Sequence, residues 1–282
     1  MQHKLVVSDP ESGKVEYEYA HLTVKLGQDW RGGNEGLRHL REVPEIYELV
    51  LDCAEIGPPG LRYLRDGPRL RGLVFKNTRL TDDGLRELRC VRGLELLRFR
   101  ENTVSDAGIA CLEAPELMWL IVEQESRITG RGLSVVKSMP RLLWLQLPRS
   151  RVDGPSLRSL SGLSELRFID LSDTPIDDSA LAHLPPLPKL DRLDLSGTRV
   201  QGPGIKHLVR QRELKELSLD GTGIDDTAVR ELERLRSLIV LSLRGTQVSP
   251  KAARRLASRG LRTILIDEHV IRSDPAFGTR PR

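Results

Sequence analysis

The chain has 282 residues, 39% of them hydrophobic, enough to build a large buried core, but only 4% aromatic, so that core must be made of Leu, Ile and Val. Lys and Arg exceed Asp and Glu by 44 to 40; the stretch from residue 251 to 282 carries +5 of this and the first 250 residues sum to −1, which argues against a generally basic nucleic-acid-binding surface. Three cysteines (Cys53, Cys90, Cys111) match neither a metal motif nor a disulfide framework, and no stretch approaches the ~20 apolar residues of a membrane span or the leader pattern of a secreted protein, so a soluble cytoplasmic protein is expected.

Leu5-Val6-Val7 and the alternating Val15 to Tyr19 flank Ser8 to Gly13, a turn rich in breakers, and predict a β-hairpin at the N-terminus. Val24-Lys25-Leu26, with Leu37 and Leu40, then reads as a degenerate first unit of a repeat, so residues 1–46 form a cap on an array that occupies residues 47–271. Leu190-x-x-Leu193-x-Leu195-x-x-Thr198-x-Val200, followed by Ile205 and Leu208, shows the repeat best. Its fourth-position aliphatic recurs as Leu49, Leu73, Leu97, Leu120, Leu145, Ile169, Leu193, Leu217, Leu241 and Ile264, with steps of 23 to 25 residues. About ten units at one period mean a solenoid. Two of the three irregular steps come from a residue missing between Leu112 and Leu117 and one inserted between Glu123 and Ile128; both are expected in loops.

Each unit predicts a short strand, a tight bend and a short helix. Thr78, Ser150, Thr174, Thr198, Thr222 and Thr246 share one register position, where stacked hydroxyls are expected to bond neighbouring loop backbone. Thr81, Ser105, Thr129, Asp153, Asp177, Asp225 and Ser249 stand where helix N-caps belong. After Ile271 the pattern stops, and residues 272–282 read as a disordered basic tail.

These register positions resemble the leucine-rich repeat family over roughly residues 22–271, and units such as Leu217 to Leu232 look most like its short cysteine-containing and ribonuclease-inhibitor-like subtypes. The resemblance implies a right-handed α/β solenoid, with a parallel sheet on its concave side and helices on its convex side. Some relatives of that subtype carry an F-box and present ubiquitylation substrates. Residues 1–46 contain no F-box-like helical bundle, so that role does not transfer.

No catalytic constellation, metal site or cofactor motif emerges. Asp220-Gly221-Thr222-Gly223 looks like a phosphate or calcium loop, but Thr222 and Ile224 hold repeat positions. His183 and His207 share a helix position in consecutive units, ~8–10 Å apart, without a carboxylate or thiol in register. A non-enzymatic scaffold follows, binding another protein. On the concave sheet the residue before each fourth-position aliphatic runs Glu48, Gly72, Leu96, Trp119, Trp144, Phe168, Arg192, Glu216, Val240 and Thr263, with four large apolar side chains in succession. Met118 and Leu143 lie at the edge of that run, and Ile121, Arg98, Asp170 and Asp194 lie one alternation further along. Such an apolar patch points to a partner surface; self-association and stacking of the rings on each other are the other uses it allows. Lys76, Arg98 and Arg100 beside aromatics also suggest single-stranded nucleic acid, but Asp170, Asp173 and Asp194 would repel a phosphate chain. A third reading is the substrate-recognition subunit of a larger complex.

Overall fold

The computed structural model describes residues 4–9, 13–18, 22–43, 45–52, 56–78, 80–100, 103–123, 127–258, 261–267 and 269–272. The chain divides into two units, Met1–Leu142 and Leu143–Arg282.

In the first unit, β1 (Lys4–Asp9) and β2 (Gly13–Glu18) form the expected antiparallel hairpin, and β2 pairs antiparallel with β3 (Thr23–Leu26). From β3 the sheet is parallel, through β4 (Glu45–Leu51), β5 (Arg69–Phe75), β6 (Leu96–Arg100) and β7 (Trp119–Glu123). Val24, Leu49, Leu73, Leu97 and Leu120 stand opposite one another in register. The second unit repeats the plan with β8 (Trp144–Gln146), β9 (Phe168–Asp170), β10 (Arg192–Asp194), β11 (Glu216–Ser218), β12 (Val240–Ser242) and β13 (Thr263–Ile266). There Leu145, Ile169, Leu193, Leu217, Leu241 and Ile264 align. All ten of the fourth-position aliphatics are at most 2% exposed. Full burial of each such side chain stabilises by ~1.5–3 kcal/mol, so the 24-residue period is in effect the spacing of the core.

The helical segments are brief, such as Asp82–Glu87 and Asp106–Ile109 in the first unit and Asp178–Leu181 and Pro250–Ala257 in the second. Helices this short do not persist alone in water, so they depend on packing and on their ends. Every expected N-cap residue makes its bond: Thr81, Ser105, Thr129, Asp153, Asp177, Asp225 and Ser249 each accept from a backbone N–H two or three residues on. The residue after the cap does something the pattern did not announce. Asp82 accepts from the N–H and hydroxyl of Ser105, one repeat downstream, at 2.7 and 2.6 Å. Asp106 does the same for Thr129, as Asp226 does for Ser249. Asn34 accepts from Gly57 N–H, and Asp178 from the N–H groups of Gln201, Gly202 and Gly204. Such side-chain acceptors tie one helix start to the next at three places in the first unit, from Asn34, Asp82 and Asp106, and at two in the second, from Asp178 and Asp226.

The hydroxyl ladder is a correction. Ser150, Thr174, Thr198, Thr222 and Thr246 donate to the carbonyl three residues earlier in their own strand-turn, at 2.5 to 2.7 Å, and not to the neighbouring loop. The first four are nearly buried beneath that turn, so their own carbonyl is the nearest acceptor. Loop-to-loop contact is made by backbone instead, as in Asp173 N–H to Ser196 O and Gly197 N–H to Asp220 O, both 2.7 Å. The residue before each hydroxyl takes a positive φ: Gly197, Gly221 and Gly245 do so freely, whereas Asn77, Arg149 and Asp173 do so against the steric preference of an L side chain. The residue missing between Leu112 and Leu117 does fall in a loop; residues 124–126 of the expected insertion lie outside the described residues. β14 (His269–Arg272) pairs antiparallel with β13, so Arg272, expected to open the disordered tail, lies in a strand; residues 273–282 of that tail lie outside the described residues.

Candidate functional site

The side chains of the parallel strands alternate between the core and the face turned away from the helices. In the first unit, Glu48, Gly72, Leu96 and Trp119 follow one another across β4 to β7, and Val74, Arg98 and Ile121 form the next row. Leu96, Arg98, Met118, Trp119 and Ile121 are all half-buried. The Arg98 guanidinium donates to Glu123 on the adjacent strand at 2.8 Å, so its charge is matched within the sheet. Among the described residues the Trp119 side chain makes no hydrogen bond and no ring contact. It is unlike Trp30 of the same unit, which is 5% exposed and donates its indole N–H to Gly33 O.

Gly72 creates a feature the sequence reading passed over. With no side chain there, a cavity of about 180 Å³ opens on this face, bounded by Tyr47, Glu48, Arg71, Gly72, Glu95, Leu96 and Trp119. A Cβ at Gly72 would sit 3.2 Å from Glu48 Cγ and 3.3 Å from the Tyr47 carbonyl oxygen, closer than the notch allows without adjustment.

In the second unit the corresponding row runs Trp144, Phe168, Arg192, Glu216. Trp144 is half-buried, as is Leu143 before it. Phe168, expected to be exposed, is 7% exposed. The Trp144 ring tilts over it at a centroid distance of 4.1 Å and 44°, and the Arg192 guanidinium covers it at 5.6 Å while lying 6.0 Å from the Trp144 ring. Arg192 is itself held by Glu216 at 2.7 Å. Phe168 is therefore the floor under Trp144 and does not stand free on the surface.

The next row of this unit, Gln146, Asp170, Asp194, Ser218 and Ser242, is polar, and its first two members are bonded to each other. The Trp144 indole N–H donates to Gln146 Oε1 at 2.9 Å, and Gln146 Nε2 donates to Asp170 Oδ2 at 3.1 Å. Asp170 Oδ1 accepts from the Ser172 N–H and hydroxyl at 2.9 and 2.6 Å. Asp170 is thus 8% exposed with both oxygens engaged, again contrary to its expected display on the surface. Asp194 is half-buried and accepts from Ser196 N–H at 2.9 Å. Burial pushes its carboxyl above the ordinary value, the Ser196 bonds oppose this, and the neighbouring Asp170 and Asp220 charges add to it. The row acts as a frame that fixes the Trp144 indole from below.

Asp220 Oδ1 accepts from Arg244 N–H, and the loop's Gly221 N–H goes to Arg244 O, so the phosphate-like sequence is a repeat turn. Burial and the adjacent Lys206 and Arg210 charges hold the His207 imidazole below its usual pKa. Among the described residues no three His, Cys, Asp or Glu side chains gather as metal ligands, and no helix is long and apolar enough to cross a membrane.

Strand, turn and short helix repeated in parallel register define the leucine-rich repeat fold. Solved structures agree. The chain is similar to an internalin from Listeria monocytogenes with a TM-score of 0.54 at 16% identity, covering 88% of this chain and 80% of that one. A leucine-rich repeat protein from Leptospira interrogans gives 0.52 at 17% identity, with 82% and 68% covered. The plant peptide hormone receptor RGFR1, in complex with RGF2, gives 0.50 at 16% identity, with 82% of this chain and 41% of the receptor chain covered. No family model and no curated protein matches the sequence.

Proposed function

We propose that the protein is a non-enzymatic scaffold that binds another protein on the helix-free face of its sheet, with Trp119 anchoring in the first unit and Trp144 in the second. The observation that carries this reading is the contrast among the three tryptophans. Trp30 is packed away, while Trp119 and Trp144 remain half-exposed on one kind of sheet face. Large apolar side chains held at a surface mark contact sites, and aromatic anchors dominate protein interfaces. Trp144 is fixed in advance by Phe168, Arg192 and Gln146, which lowers the ordering cost of binding. Leu96, Met118, Ile121 and Leu143 add apolar surface beside the anchors. Phe168 and, through Gln146, Asp170 support this surface from beneath, and Asp194 borders it on the next strand. One structural neighbour is itself solved with a ligand bound, in keeping with the reading.

The pairing of Arg98 with Glu123 and of Arg192 with Glu216 leaves little free positive charge on these rows for a phosphate chain. The test is capture from native lysate by the parent and by a Trp119→Ala/Trp144→Ala double variant, with the captured partner then titrated at 50 and 200 mM salt. Loss of capture in a folded variant, with affinity only modestly weaker at high salt, supports the reading. For a single-stranded nucleic acid, each neutralised phosphate would instead add about −0.7 to the log–log salt slope. A steep slope together with indifference to both substitutions would overturn the proposal.

A further inference from the structure

Resting on that reading of the face, we propose that the notch over Gly72 in the first unit receives one basic side chain, arginine or lysine, of the bound polypeptide. Its size sets the class of occupant. About 180 Å³ falls below the ~300–1,000 Å³ of sites that enclose a cofactor or metabolite. It suits a single long side chain.

Charge sets the chemistry. Glu95 is ion-paired with Arg71 at 3.6 Å, and Arg71 is shared with Glu45 at the same distance. The Glu48 carboxylate, half-buried beside the floor of the notch, has neither a hydrogen bond nor an ion pair among the described residues. A carboxylate that is partly desolvated and unpaired gains most from a donor that arrives charged, and a guanidinium can bind it through two N–H groups at once. Beside Tyr47, the remaining wall is Leu96 and Trp119, apolar surface along which the methylene stem of such a side chain lies while its head stays with the carboxylate. Gly72 is what leaves the space between wall and carboxylate open.

The experiment uses the full chain, 15N-labelled, with the Trp119 indole N–H as reporter. The probes are N-acetyl-arginine methylamide, its lysine counterpart, and the citrulline counterpart, which has nearly the shape of arginine without the charge. The basic probes are expected to shift the Trp119 signal with millimolar affinity and to bind about tenfold more tightly than citrulline. Glu48→Gln should reduce arginine to the level of citrulline, and Gly72→Ala should weaken all three probes by narrowing the notch. An unmoved Trp144 indole signal reports that the variants remain folded. Equal shifts from citrulline, or an unchanged arginine response in Glu48→Gln, would overturn the proposal. Because the probes are single residues, that failure would leave the lysate result untouched, and loss of the face as a partner surface would show only in the double tryptophan variant.

Discussion

Replacing Trp144 with alanine should damage two properties at once, while replacing Trp119 should damage one. The Trp144 ring lies 4.1 Å from Phe168, its indole N–H is bonded to Gln146, and Arg192 caps the pair. Loss of the aromatic pair removes ~0.5–1.5 kcal/mol beyond simple area. The cation–π contact with Trp144 contributes ~0.5 kcal/mol at such a partly exposed distance. Opening one side of Phe168 to water costs about 1 kcal/mol, roughly half the value of burying the ring. Together these put the stability loss of Trp144→Ala on the order of 2–3 kcal/mol. Trp119 has no ring or hydrogen-bond partner for its side chain among the described residues, so Trp119→Ala should stay below ~1 kcal/mol. Urea unfolding followed by circular dichroism compares the two midpoints directly. Partner affinity should fall by ~2–4 kcal/mol in both, as hot-spot truncations do. Equal midpoints for the two variants would refute the idea that Trp144 is held from beneath and Trp119 is not.

Leu193→Asp places a carboxylate among side chains that are 0% exposed and should cost more than ~4 kcal/mol; a melting curve that does not move would contradict the assigned register. Asp178→Ala strips the acceptor from three backbone N–H groups and should cost on the order of 2–3 kcal/mol. Asp178→Asn keeps an acceptor and should recover more than half, with hydrogen exchange at Gly202 and Gly204 as the readout. Asp194 has a folded pKa above its ordinary 3.8, so the folded state holds its proton more tightly and stability falls as pH rises from that value through the raised one. Asp194→Asn should therefore gain on the parent across that window; a constant difference in urea midpoint with pH would count against it.

Much of the fold was legible because one number governs it. A strand of fixed phase must recur wherever Leu193 and its equivalents recur, and the pairings of β3 to β7 and β8 to β13 follow that arithmetic. The N-caps were legible because Ser, Thr or Asp before a short apolar helix has one strong use. The buried hydroxyls misled, since sequence gives their position but not which carbonyl lies nearest. The side-chain acceptor ladder left a trace in Asp82-Asp83-Gly84 and Asp106-Ala107-Gly108: a Cβ at Gly108 would fall 2.3 Å from Asp82 Oδ1, so the glycine records the neighbour's carboxylate. For the candidate site, the row was readable but the rotamers were not. Phe168 is buried because Trp144 and Arg192 lean over it, a choice made by side-chain packing. The Gly72 notch was missed because it consists of an absent side chain. β14 is only four residues long, and the turn before it carries Asp267 at a positive φ, which no Gly or Asn announced.

The acceptor ladder gives the array a direction. In each link the acceptor belongs to the earlier repeat and the N–H groups to the later one: Asp82 before Ser105, Asp106 before Thr129, Asp226 before Ser249. A chain made from its N-terminus thus exposes the receptor at each of these links before the helix it receives exists, so assembly can proceed like laying bricks onto a keyed course. Cutting the array is correspondingly lopsided. Removing a downstream repeat leaves a spare carboxylate in water, which is cheap, whereas removing an upstream one leaves bare N–H groups at a helix start, at ~1 kcal/mol or more for each that stays shielded. Matched deletions of one 24-residue block from either side of the Asp226 link should differ in melting temperature in that sense.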